Sequence, residues 1–261
     1  MLRGVSQLVT RLALAPEPLF RAYLFSQTGT LRLRSRPEHR VLNRPLLSAE
    51  EWQHALASVK QLRLPPHEDG PKNWDALAAL DAILSELPLS AAVLDAGAAA
   101  YSPLLRWLYL YGYRDLHGIN LIFDRPFAFG PIQYVPGDIE RSPYGDACFD
   151  AVACLSVIEH GVDEDAFLKE MSRILKPGGL LIVSCDYFAQ PTDTKGMTAY
   201  GAPVRVFDRP SVRELLHKAQ SYGLSSTSPV ELECGERVIA WKRLSIAFTF
   251  LLLAFRRDAR R

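Results

Sequence analysis

The chain has 261 residues, 48% of them hydrophobic, and a formal net charge of +1. That length and apolar content are enough for one large α/β domain, or for such a domain with a cap. The near-neutral charge speaks against a dedicated nucleic-acid binder, whose phosphate-facing surface is usually strongly basic.

Charge is nevertheless uneven, because residues 1–47 carry eight arginines, no lysine and only two acids, Glu17 and Glu38. Leu2, Val5, Leu8, Val9 and Leu12 recur there at helical spacing beside Arg3 and Arg11, until Pro16 and Pro18 cut the run short. Three readings stay open: an arm packed on the domain, a peripheral membrane contact, or a transit peptide. A helical cap is expected over residues 48–88. Its first helix starts at Ser48, with Glu51 closing a capping box, and runs to about Gln61. Its second runs from about Asn73 to Leu87, with Trp74, Leu77, Leu80, Ile83 and Leu84 along one face. No sheet is expected anywhere in the N-terminal region up to about residue 88.

From Ala91 the pattern alternates. Strands are expected at Ala92 to Asp95, Asp115 to Asn120, Gln133 to Val135, Phe149 to Leu155 and Leu180 to Ser184. Helices are expected at about Ser102 to Tyr111, Asp163 to Leu175, and from Asp208 and Pro210 to about Tyr222. Lys176-Pro177-Gly178-Gly179 reads as a helix stop followed by a turn into a buried strand. The apolar run Leu244 to Phe255 is too short to span a membrane, is bounded by Lys242-Arg243 and Arg256-Arg257, and reads as a central strand closing a terminal hairpin with a strand around Ser225 to Leu232. The resulting fold class is α/β, a Rossmann-like, mostly parallel seven-stranded sheet with helices on both faces, over residues 89–261. Cys148, Cys154, Cys185 and Cys234 form no close CxxC pair and read as reduced core residues of a cytoplasmic protein.

In an open parallel sheet, ligands bind beyond the carboxyl ends of the strands, so the residues there carry the function. The first strand ends at Asp95-Ala96-Gly97-Ala98-Ala99, where small residues let a ligand approach the backbone and helix amides favour an anionic group. The second ends at Asn120, which either hydrogen-bonds ribose hydroxyls or closes a turn. At the end of the third, Asp138 either accepts from an exocyclic amine or shapes the turn after Gly137. Beyond the fourth strand, Glu159 and His160 are titratable, and His160 suits a general base near neutral pH or a loop position. The long Asp186 to Phe207 connection, with Tyr187, Phe188, Asp193, Lys195, Tyr200 and Arg205, reads as acceptor-binding or as irregular packing against the N-terminal helices.

With these residues in order, residues 91 to 255 resemble a class I S-adenosylmethionine-dependent methyltransferase of the type 11 family. Val93-Leu94-Asp95-Ala96-Gly97 stands as motif I, Gly118-Ile119-Asn120 at the ribose position and Pro136-Gly137-Asp138-Ile139 at the adenine position. Phe149-Asp150-Ala151-Val152 opens the fourth strand, and Leu155-Ser156-Val157-Ile158-Glu159-His160 follows it. Asn73-Trp74-Asp75-Ala76-Leu77 is similar to a helix preceding the domain in some bacterial members. The resemblance implies S-adenosyl-L-methionine as cofactor, held by Asp95, Gly97, Ala99, Asn120, Asp138, Ile139 and Leu155, with His160 and Glu159 as catalytic candidates. It implies methyl transfer to a small-molecule or glycan-linked acceptor, on oxygen, with no nucleic-acid partner. Glu159-His160 also resembles the end of an ExxEH metal site, but Ser156 stands where its first carboxylate belongs, and no metal is assigned. The alternative is a non-catalytic binding or scaffold protein on the same fold.

Overall fold

The computed structural model describes residues 12–31, 35–199 and 201–259. The amphipathic run Leu2 to Arg11 and Tyr200 of the Asp186 to Phe207 connection lie outside them. The described helices are α1 (Glu17–Thr28), α2 (Ala49–Gln61), α3 (Lys72–Glu86), α4 (Pro103–Tyr111), α5 (Glu164–Ile174) and α6 (Arg209–Ser221). The strands are β1 (Arg44–Pro45), β2 (Val93–Ala96), β3 (Leu116–Asn120), β4 (Phe127–Phe129), β5 (Ile132–Pro136), β6 (Phe149–Leu155), β7 (Leu175–Tyr187), β8 (Thr198–Ala199), β9 (Ala202–Pro203), β10 (Leu224–Ser226), β11 (Ile239–Trp241) and β12 (Ile246–Arg257).

Ten strands form one sheet, and β8 pairs with β9 in a separate hairpin. The seven expected strands are its frame, in the order β5-β3-β2-β6-β7-β12-β10, extended by β4, β1 and β11. The neighbours from β5 to β7 are parallel. The apolar run of β12 is antiparallel to β7 over eight residue pairs and takes β10 and β11 on antiparallel ladders, which is the expected terminal hairpin.

Side chains alternate along a strand, so a sheet covered on both faces splits each strand between two cores. Leu180, Ile182, Phe250 and Leu252 pack into the core shared with α3 and α4. Leu181, Val183, Leu251 and Leu253 point the other way, into the core shared with α5 and α6. The cap is stitched to this body rather than hinged from it. α3 is buried at every position from Asn73 to Leu84, not along one face as its pattern suggested. Trp107 donates its indole N–H to Pro65 O at 2.8 Å. α1 packs Phe20 on Tyr109, with ring centroids 5.1 Å apart.

Three local expectations are corrected. The N-terminal arm contributes a strand: β1 pairs Arg44 and Pro45 with Leu252 and Leu251, and Leu46 N donates to Phe250 O at 2.8 Å. Ser48 caps α2 by position, but its side chain makes no capping bond. Glu51 is drawn instead to Arg44, 3.0 Å away, and to Leu47 N. The Lys176-Pro177-Gly178-Gly179 segment is a bulge inside β7, not a turn before it. Leu175 already pairs with Phe149, and the register resumes with Leu180 opposite Ala151. Gly178, at φ +77°, supplies the left-handed residue that this excursion needs.

Candidate functional site at the carboxyl ends of the strands

The carboxyl ends of β2, β3, β5, β6 and β7 share one edge of the sheet, and nearly every site residue expected from the sequence lies there. At β2, Asp95 is 5% exposed and Gly97 turns the chain at φ +91°. A Cβ on Gly97 would stand 2.4 Å from Val157 Cγ2, so the β2–α4 turn and the segment after β6 close on each other at this glycine. The backbone of this turn is largely committed. Gly97 N and Ala98 N both donate to Ile119 O, at 2.9 and 3.1 Å, and Ala99 N donates to Ser102 Oγ at 3.0 Å.

Asn120 lies against this turn and spends its amide on it. Its Nδ2 donates to Gly97 O at 2.9 Å and to Ala98 O at 3.0 Å, while Oδ1 accepts from Ile122 N at 3.1 Å. The next strand end joins on, since Gly137 N donates to Asn120 O at 3.2 Å. Asp138 is half-buried and accepts from Glu140 N through Oδ1 at 2.9 Å, and Ile139 is buried in the core shared with α5 and α6. Leu155 lines a small cavity of about 60 Å³ with Asp95, Gly97 and, from the cap, His67, Lys72 and Asp75.

Two carboxylates that the sequence reading did not place in the site complete this edge. Asp75, on the first turn of α3, is 1% exposed and accepts from Ser184 Oγ at 2.6 Å. Asp186, near the end of β7, is 3% exposed and lies near Glu159, which is fully buried. Neither Glu159 carboxyl oxygen has a hydrogen-bond partner among the described residues, so burial and the neighbouring Asp186 charge favour its protonated form.

Burial pushes the Asp95 carboxyl up to about 7, with Asp75 adding like-charge repulsion. It pushes Asp186 up to about 7 as well, against the pull of Lys72. Glu159 and Asp75 are raised by the same desolvation. Lys72 acts on Asp75, Glu159, Asp186 and His160, and its ammonium sits 4.7 Å from the centre of the Phe250 ring.

His160 stands beside this cluster, edge-on to Trp241 of β11 with ring centroids 6.5 Å apart. Burial and then Lys72 hold its pKa below the usual histidine value, so the neutral imidazole prevails near pH 7. Among the described residues, no group of three or more His, Cys, Asp or Glu side chains is arranged to hold a metal ion. In the Asp186 to Phe207 connection, Arg205 N donates to Glu159 O at 3.0 Å, and its guanidinium reaches Glu164 and lies 4.2 Å from the centre of the Phe207 ring.

An acid closing a parallel strand was the available signal for Asp186, as it had been for Asp95. For Asp75 there was only the Asn73-Trp74-Asp75 block, which marked a helix and not its docking on the strand ends.

This order of strands, with an antiparallel β12 beside β7 and a ligand-facing edge led by Asp95 and Gly97, is the fold of class I S-adenosylmethionine-dependent methyltransferases. Residues 111–183 match the family model of a methyltransferase domain. A 66-residue stretch is 42% identical to the demethylmenaquinone methyltransferase of Mycobacterium tuberculosis, covering 25% of this chain and 27% of that protein. A 105-residue stretch is 32% identical to the ubiquinone/menaquinone biosynthesis C-methyltransferase UbiE of Pseudomonas putida, covering 40% of each chain. The chain thus spans well under half the length of the curated relatives it matches. Among solved structures, an S-adenosylmethionine-dependent methyltransferase from Mesorhizobium loti aligns over 72% of this chain and 99% of its own, at 18% identity and a TM-score of 0.50. The [4+2]-cyclase SpnF aligns over 83% and 99%, at 16% identity and a TM-score of 0.53. The resemblance read from motif I to Lys176-Pro177-Gly178-Gly179 therefore holds for the fold. No described helix is long and apolar enough to cross a membrane.

Proposed function

We propose that this chain transfers a methyl group from S-adenosyl-L-methionine to a small-molecule acceptor. The observation that carries the reading is the continuous edge from Asp138 through Asn120 and Gly97 to Leu155, on a fold whose segment 111–183 matches a methyltransferase domain. The residues suit the cofactor. Asp95 is an acid beside a small polar cavity, fitted to an ammonium; Gly97 and Leu155 wall it; and Asp138 with Ile139 offers an acceptor and an apolar contact for a base. Asn120 serves by holding the turn, because its amide donors already meet Gly97 and Ala98.

The cofactor supplies an activated methyl group, which leaves the protein to align the acceptor and take up its proton. His160, neutral near pH 7, is the base in this reading. Glu159, raised by burial and by the Asp186 charge, is held in its protonated form beside it. Oxygen is the methylated atom expected from the sequence. Carbon is the second reading, favoured by the quinone C-methyltransferase named among the relatives.

Incubation with S-adenosylmethionine bearing a deuterated methyl group and panels of hydroxylated aromatics, quinols and glycan-linked acceptors tests the proposal by mass spectrometry. A labelled methyl on an acceptor supports it, and fragmentation assigns oxygen or carbon. Bound cofactor with no labelled product across the panels would move the chain to the non-catalytic reading. The fold alone does not fix the reaction, since SpnF shares it under the name of a cyclase.

A further inference from the structure

Ser184, fully buried on β7, joins three elements through one hydroxyl. Its Oγ accepts from Ser156 N at 2.9 Å and donates to Asp75 Oδ2 at 2.6 Å. The Ser184 carbonyl accepts from the same Ser156 N at 3.0 Å, and Ser156 Oγ lies 3.5 Å from both Asp75 Oδ2 and Ser184 Oγ. The remaining Asp75 oxygen accepts from Ala76 N at 2.8 Å, so the carboxylate is held at both ends.

This relay ends on a strained residue. Ser156 has φ +53°, a conformation that a side chain bearing a Cβ adopts only when its surroundings impose it. The residues on either side are the walls of the site: Leu155 lines the cavity with Asp95 and Gly97, and Val157 packs on the Gly97 backbone. A serine hydroxyl rotates to suit its neighbours, so its lone pair faces Ser156 N reliably only while its proton has a fixed acceptor. Asp75 is that acceptor, and it belongs to α3, a helix outside the strand-helix alternation that builds the sheet.

We propose that Asp75 is a positioning residue, which through Ser184 fixes the left-handed turn at Ser156 and so sets the Leu155–Val157 wall against Gly97. The inference rests on the cofactor site proposed above. It gives the cap a role in that site: α3 locks the segment after β6 in its binding shape.

Two measurements on the full chain test it. Calorimetry with S-adenosylhomocysteine reads the site, and amide hydrogen exchange of the peptide spanning Ser156 reads the turn. Asp75→Ala and Ser184→Ala are expected to weaken binding about tenfold, the scale of one hydrogen bond removed from a preorganised wall. Both should speed exchange at 155–158 with melting still cooperative. Asp75→Asn retains an oxygen acceptor for Ser184 and should recover most of the affinity and protection. A merely structural Asp75 would lower the melting temperature and leave affinity and local exchange of the folded protein unchanged, which would overturn the proposal. Should Asp75→Ala fail to fold, Ser184→Ala decides, because it removes the bridge with the loss of a single oxygen. Should the native chain bind no S-adenosylhomocysteine, the proposed cofactor site fails, while unchanged exchange in Ser184→Ala would separately sink the relay.

Discussion

The two ends of the parallel strands handle their acids in opposite ways. At the amino ends each carboxylate meets a cation or a donor. Asp150 takes Lys176 Nζ at 2.7 Å and Ala92 N at 2.8 Å. Arg173 binds Glu170 at 2.6 Å and Asp146 at 2.7 Å, and Ser142 donates to Glu170 through both its N–H and its hydroxyl. These bonds outweigh burial and hold Glu170 below the usual carboxylate range. At the carboxyl ends, Asp75, Asp95, Glu159 and Asp186 lie buried near one another with Lys72 as the cation acting on three of them, and every one is raised. The first arrangement stabilises the fold. The second costs stability and keeps acids titrating near neutral pH, the pattern expected of a functional site.

The largest effect is expected at Gly97. Gly97→Ala places a Cβ against Val157 at a positive φ, and it should abolish S-adenosylhomocysteine binding while costing about 2–4 kcal/mol in denaturant unfolding. Wild-type affinity in that variant would remove the β2–α4 turn from the site.

Arg173→Met probes the opposite edge. It strips the cation from Glu170, whose side chain is 9% exposed, and should cost about 2–3 kcal/mol, discounted because Arg173 itself is 34% exposed. Cofactor affinity of the folded variant should not change, and a loss of affinity would blur the division between the two edges.

Stability should respond to pH through the ligand-facing acids. Between about pH 6.5 and 7.5 the buried His39 and His160, whose pKa values are lowered, are neutral when folded and part-protonated when unfolded, which adds a smaller slope of opposite sign. Asp95 and Asp186, held near 7 when folded and ionised when unfolded, still carry extra protons in the native state. Stability therefore falls as pH rises from about 6.5 to 8, by up to about 1.4 kcal/mol per unit for each proton released. Glu159→Gln removes one buried, raised acid from the cluster and should flatten that slope in melting curves. An unchanged slope would show that Glu159 carries no extra proton in the folded state. The smallest effect is expected for Lys176→Met, at about 0–1 kcal/mol by chemical denaturation, because that ion pair is 43% and 28% exposed and Asp150 keeps its bond from Ala92 N.

The frame of the sheet was legible because local pattern and global position agreed. Phe149 to Leu155 is the strand expected, residue for residue, and strand ends in a parallel sheet are ligand-facing by construction. Where non-local pairing decided the outcome, local signals misled. Pro177-Gly178-Gly179 suits a turn and a bulge equally, and only the pairing of Leu175 with Phe149 distinguishes them. Ser48 and Glu51 have the spacing of a capping box, yet Arg44, brought close by β1, competes for the glutamate. The site was legible by element and not by contact. Asp95, Asn120, Asp138 and His160 were found at their strand ends, whereas the gathering of Asp75 and Asp186 beside Asp95 and Glu159 depends on where α3 docks, which no periodicity encodes.

Calorimetric titration of the full chain with S-adenosylhomocysteine tests the central claim most directly. One saturable site per chain, lost in Gly97→Ala and retained in Arg173→Met, is the predicted result. No binding at millimolar ligand by a folded native chain would contradict the assignment of this edge to the cofactor.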